Sequence, residues 1–270
     1  MYKIETDYGQ YKLTKSPVLF TVIAFLLPLL IVIARNNISN NAVNFALYGI
    51  QAAAPSISAV TVFAVNKELR TAFSRLFHKE HLAASILLPT VIICAVMIAA
   101  KLLASLIMGE YDPFFGKVSS KQWIMILWAF VAEELGWRGF LEPALNKLAV
   151  NKRIIPCIIG LIWCLWHYHY FMQNSIEMPI PLFLIGCIIE SYIYSFLMRV
   201  TKNNLVSAMT YHFMYNLMIH VMAINPSDNN GSLLPCVIMT IMETVVLLVL
   251  ILRFEKAKTV KKINEYHKYK

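Results

Sequence analysis

The chain has 270 residues, of which 59% are hydrophobic and 14% charged, and a mean hydropathy of +0.61. That balance excludes a water-soluble domain of this length, because most side chains must face lipid or one another. The net charge of +9 does not call for nucleic acid: the basic residues sit in connections and at the C-terminus, where anionic headgroups account for them.

In chain order, residues 1–16 are polar, carry no cleavage site before the first apolar run, and read as a retained cytoplasmic leader. Runs with little or no charge follow at 17–34, 43–65, 83–106, 122–147, 154–171, 179–198, 204–224 and 232–252. Each is close to the ~20 residues that a helix needs to cross a hydrocarbon core. Barrel strands alternate over about 10 residues, and these runs are continuously apolar. The expected fold is therefore all-α, a polytopic membrane protein of about eight transmembrane helices. Outside the spans, 19 Lys and Arg fall on the side of the N-terminus and three on the other, which predicts both termini in the cytoplasm. The five cysteines lie inside apolar stretches with no CxxC spacing, so neither a disulfide framework nor a zinc ribbon is expected.

One membrane domain, 1–270, is expected. It divides into three N-terminal helices (1–119), a core (120–224), and a last helix with a basic tail (225–270).

Ionisable groups inside lipid cost roughly 2.5–3.5 kcal/mol on insertion scales, so each needs a partner or a purpose. The fourth run, WAFVAEELGWRGFLEP, holds Glu133, Glu134 and Arg138. Glu134 and Arg138 share a helix face and can pair. Glu133 points about 100° away and is left as a carboxylate that can exchange a proton. The fifth run ends in WCLWHYHYF, with His167 one turn beyond Trp163; His169 is expected nearer the outer interface. The seventh places His212 and Asn216 four residues apart, addressing one point. At ~1.5 Å per residue, Glu133, Glu134 and His167 lie roughly 20 Å from the cytoplasmic edge and His212 roughly 14 Å, so they can meet within the bilayer. Glu190 is a candidate supporting group for this site, whereas Glu243 and Lys101 read as structural. Each pairing also has a plain reading as an ion pair or as interhelical hydrogen bonding.

These motifs carry a resemblance. EELGWR matches Glu-Glu-x-x-x-Arg and HFMYN matches His-x-x-x-Asn, and WCLWH stands where the pattern is Phe-x-x-x-His, with Trp163 in place of phenylalanine. In this order, over residues 120–220, the chain resembles the CPBP family of CAAX prenyl proteases and their bacteriocin-processing relatives, formerly called Abi proteins. The resemblance implies an intramembrane endopeptidase with a catalytic core from the fourth, fifth and seventh helices. Glu133 and His167 would activate water, His212 and Asn216 would form the oxyanion site, and Glu134 with Arg138 would hold the constellation.

Residue types leave the metal open. Glu133, His167 and His212 also form a recurrent Zn2+ set, so the reaction uses either Zn2+ or no cofactor. The implied partners are a membrane-embedded or membrane-anchored peptide and the lipid bilayer. The implied setting is bacteriocin or signalling-peptide maturation, or self-immunity, in a bacterial plasma membrane. The alternatives are a non-catalytic immunity or scaffold protein, and a proton- or ion-coupled transporter; no inverted repeat supports the latter.

Overall fold

The structure, a computed structural model, describes residues 16–109, 113–148 and 151–268, with side chains up to Leu252. The expected cytoplasmic leader and the side chains of the basic tail lie outside the described residues.

The described residues are helical throughout their regular structure. Helix α1 (Ser16–Arg35) is followed by α2 (Asn41–Ala52), α3 (Ala54–Val65), the short α4 (Leu69–Leu76) and the long α5 (Leu82–Met108). Then come α6 (Ser120–Ala132), α7 (Glu134–Gly136), a π-helical turn (Trp137–Leu141) and α8 (Glu142–Lys147). The chain continues with α9 (Ile155–Trp166), α10 (Tyr168–Met172), α11 (Ile180–Val200), α12 (Val206–Val221) and α13 (Leu234–Lys268).

All eight apolar runs form helix, but not as eight straight spans. Five helical segments are long and apolar enough to cross a membrane, and α2 with α3 makes a sixth if that pair, bent by 61°, is one span. The run at 204–224 yields a helix of 16 residues. The run at 122–147 is broken at Glu133. Leu87, Leu106, Leu127, Leu165 and Leu248 expose apolar surface outward, as lipid-facing positions of an integral membrane protein do.

Local chemistry explains the starts and breaks. The Asn40 side chain accepts from the backbone N–H groups of Ala42 and Val43 and caps α2. Ser119 and Gln122 form a capping box on α6. Pro55 stops α2 from running on into α3, since its ring lacks an N–H and collides with the preceding turn. Two close approaches then fix the interior. A Cβ on Gly136 would fall 2.6 Å from the Pro55 backbone, so α7 abuts the α2–α3 bend. A Cβ on Gly160 would fall 2.7 Å from the Cα of Ile188, so α9 lies directly on α11. Around them α12 packs on α5 and α6, and α1 on α3.

Candidate active site

Glu133 sits at the break between α6 and α7 with φ −123° and ψ −39°, outside the helical range. Its carbonyl accepts from the backbone N–H of both Gly136 and Trp137, at 2.9 and 3.1 Å. The turn that follows is π-helical, which inserts one residue into the helix and re-aims the side chains of Trp137 and Arg138. A run expected to be one regular span is therefore interrupted at its carboxylates.

The Glu133 side chain is 6% exposed and does not float free. One oxygen, Oε2, accepts from the indole N–H of Trp163 at 2.8 Å and from that of Trp137 at 3.2 Å. The other, Oε1, lies 4.0 Å from His212 Nε2. That gap is too long for a direct hydrogen bond and matches one bridging oxygen.

Glu134 is fully buried and pairs with Arg138 as its spacing predicts, at 3.1 Å. It also does something helical spacing did not reveal: Oε1 takes His212 Nδ1 at 2.7 Å. Because the Glu134 carboxylate can only accept, His212 Nδ1 carries a proton and Nε2 is the atom turned toward Glu133. Arg138 is held further by Ser191 Oγ at 3.2 Å and by the faces of Tyr194 and Trp163, 3.8 and 4.9 Å from its guanidinium carbon.

His167 lies at the junction of α9 and α10. Its Nδ1 is 2.7 Å from the Trp163 carbonyl, which can only accept, so Nδ1 holds the proton and Nε2 keeps its lone pair. The Trp163 ring packs edge-on against both histidines, with centroids 5.5 Å from His167 and 5.9 Å from His212. Asn216 follows one turn after His212 and donates Nδ2 to the His212 carbonyl at 3.2 Å. Glu133, Glu134, Arg138 and His212 are thus brought into one cluster, Trp163 ties His167 to it, and Asn216 borders it.

His169, expected nearer the outer interface than His167, is covered by protein. It is fully buried, packed on Trp166 with centroids 4.7 Å apart, and its Nδ1 lies 2.7 Å from the Gln51 amide nitrogen. Helix α2 covers it, a tertiary contact that position along a span does not disclose. The residues that helical spacing missed are Trp137, Trp163 as a donor, and Ser191. The only sequence signal for the donors was the unusual tryptophan in WCLWH. Glu190 and Glu243 are buried and interact with one another, and Glu190 also lies in the field of Arg138.

Among the described residues no three His, Cys, Asp or Glu side chains converge closely enough to hold a metal ion. The placed donors do not make the three-ligand set that Glu133, His167 and His212 suggested, and no step below passes through a metal.

Two comparisons bear on this geometry. Residues 118–218 match the family described as type II CAAX prenyl endopeptidase Rce1-like. CAAX prenyl protease 2 of Methanococcus maripaludis is similar, with 26% identity over 184 residues, 59% of this chain and 65% of that protein. The chain thus spans just under two thirds of that relative.

Proposed function

We propose that the protein is an intramembrane endopeptidase cleaving a membrane-associated peptide, a reading supported by the match of residues 118–218 to the Rce1-like CAAX endopeptidase family. The observation that carries this reading is the 4.0 Å gap between Glu133 Oε1 and His212 Nε2. A carboxylate oxygen and an imidazole nitrogen face each other across the width of one water, behind a wall of indoles.

Glu133 accepts a proton from that water as its oxygen attacks the scissile carbonyl, and His167 Nε2 accepts the water's other hydrogen bond. His212, as an imidazolium with a proton on each ring nitrogen, donates Nε2–H to the developing oxyanion, and Asn216 supports it from the next turn. Glu133 then passes its proton to the leaving nitrogen as the C–N bond breaks. Glu134 and Arg138 keep the His212 ring turned to present Nε2.

The setting we propose is processing of a bacteriocin or signalling peptide, or self-immunity, in a bacterial plasma membrane with both termini cytoplasmic. The test is cleavage of membrane-anchored peptides by purified protein in liposomes, with Glu133→Ala, His167→Ala and His212→Ala compared at equal folded yield. Cleavage by the wild type that each substitution abolishes is the expected result. A cellular phenotype that survives all three would replace the protease with a binding-only protein.

A further inference from the structure

Helix α4 (Leu69–Leu76) is too short to cross a bilayer, and it lies where longer helices begin and end. Asn66, just past α3, donates Nδ2 to Ser16 Oγ at the start of α1, at 3.0 Å. Leu205, just before α12, donates its N–H to the Leu76 carbonyl at 2.8 Å. Asn204, in the turn that follows α11, donates Nδ2 to the carbonyls of His78 and Glu80, just ahead of α5, at 2.7 and 3.2 Å. Ends of α1, α3, α5, α11 and α12 thus gather around α4 at one level. Helices that span a membrane end at its surface, so α4 lies in an interface. The turns on either side of it, with Lys67 at φ 58° and His81 at φ 56°, break it from both neighbours.

The helical period gives α4 two apolar strips. Ala72 and Leu76 are buried, and Leu76 Cδ1 lies 3.2 Å from where a Cβ on Gly139 would stand, in the π-helical turn that carries Arg138. Leu69 and Phe73 adjoin that strip and Phe77 caps the helix, yet these three are 39, 39 and 36% exposed. The Phe73 and Phe77 rings stack with centroids 5.5 Å apart. Val65 at the end of α3, and Leu82 and Ile86 at the start of α5, are exposed too. The uncovered strip is therefore flanked by lipid-facing positions of two helices, and lipid is what covers it.

Its rim is basic. Lys67, Arg70 and Lys79 are exposed, and among the described residues none of them pairs with a carboxylate. The nearby acids are engaged elsewhere: Glu80 pairs with Lys202 at 3.5 Å, and Glu68 shares its surroundings with Arg75 and Lys147. An apolar strip edged by three such cations matches a leaflet of acyl chains under phosphate headgroups.

We propose that α4 is an interfacial helix that binds anionic lipid, with Leu69, Phe73 and Phe77 among the upper acyl chains and Lys67, Arg70 and Lys79 on the phosphate headgroups. This goes beyond the endopeptidase reading and stands independently of it. Leu76 touches the π-helical turn that carries Arg138, and its carbonyl holds Leu205 at the start of the helix that carries His212. Lipid seated on α4 therefore steadies the frame of the site.

The test uses the full chain in nanodiscs of phosphatidylcholine, with and without phosphatidylglycerol, and reads backbone hydrogen exchange. Phosphatidylglycerol is expected to slow exchange across residues 69–77 and in the turn before α12, beyond what phosphatidylcholine does alone. In neutral detergent, binding of added phosphatidylglycerol is expected to weaken about fivefold for each of Lys67→Gln, Arg70→Gln and Lys79→Gln. Lys152→Gln and Arg153→Gln, exposed cations in the α8–α9 connection, are expected to leave it unchanged. Phe73→Ser with Phe77→Ser is expected to speed exchange at 69–77 in both lipids while the preference for phosphatidylglycerol remains. All of these positions are exposed, and an unchanged unfolding temperature in detergent checks that each variant is folded.

Equal slowing in the two lipids, or a Phe73→Ser, Phe77→Ser protein whose exchange is unchanged, overturns the proposal. So does an equal loss of binding from Lys152→Gln and Arg153→Gln, since the attraction is then diffuse surface charge. Protection by phosphatidylglycerol confined to other segments overturns it as well. None of these measurements depends on cleavage. Their failure leaves the endopeptidase reading intact, and a protein that cleaves nothing leaves the lipid surface in place.

Discussion

Trp163 donates its indole N–H to Glu133 across 30 residues of chain, at 2.8 Å, on the same carboxylate oxygen that Trp137 reaches at 3.2 Å. Where the family pattern has phenylalanine, this chain has a ring that also carries a donor. The substitution reads as a mild aromatic exchange in sequence, yet it fixes one oxygen of Glu133 and leaves the other facing His212. The orientation of the Glu133 carboxylate is therefore set in part by an indole N–H that phenylalanine would lack.

Trp163→Phe keeps the ring and removes only the N–H. A hydrogen bond to a charged group contributes about 1.5–3 kcal/mol, so cleavage should fall about ten- to a hundredfold, in kcat more than in KM. Folded yield should change little. An unchanged kcat would show that Trp137 alone suffices to hold Glu133.

Glu134 and Arg138 are a fully buried pair, and removing one partner strands the other. Glu134→Gln or Arg138→Gln should each destabilise the protein by about 3–5 kcal/mol in detergent unfolding. The double substitution should cost clearly less than the two together, since it leaves no lone charge. Additive losses would show that the two residues are stabilised separately, for instance Arg138 by Tyr194.

Gly136→Ala places a Cβ 2.6 Å from the Pro55 backbone, which cannot step aside. A Cβ at Gly139 instead meets the flexible ends of Leu135 and Leu76 at 3.1 and 3.2 Å. Gly136→Ala should lower the unfolding temperature and abolish cleavage by displacing Glu133, whereas Gly139→Ala should be much milder in both. Equal effects would mean that α7 is not wedged against the α2–α3 bend.

Because the placed donors do not form a three-ligand set, proteolysis should survive a strong chelator followed by transfer to metal-free buffer. Activity that is lost on chelation and restored by Zn2+ would show that Glu133, His167 and His212 rearrange around an ion.

The sequence by itself determined the all-helical membrane fold, the eight apolar runs and the Glu134–Arg138 pair. It also singled out the residues that gather, because hydropathy and the 3.6-residue period are local properties of the chain. It did not determine how the runs are bent or rotated. The break at Glu133, the Glu134–His212 bond, the two indoles on Glu133 and the burial of His169 all depend on which helix face meets which neighbour. Those meetings are decided where backbones touch, at Gly136 on Pro55 and at Gly160 on Ile188. Close packing leaves few ways to rotate two helices once their backbones are in contact, so these tertiary contacts turned three spaced motifs into one site.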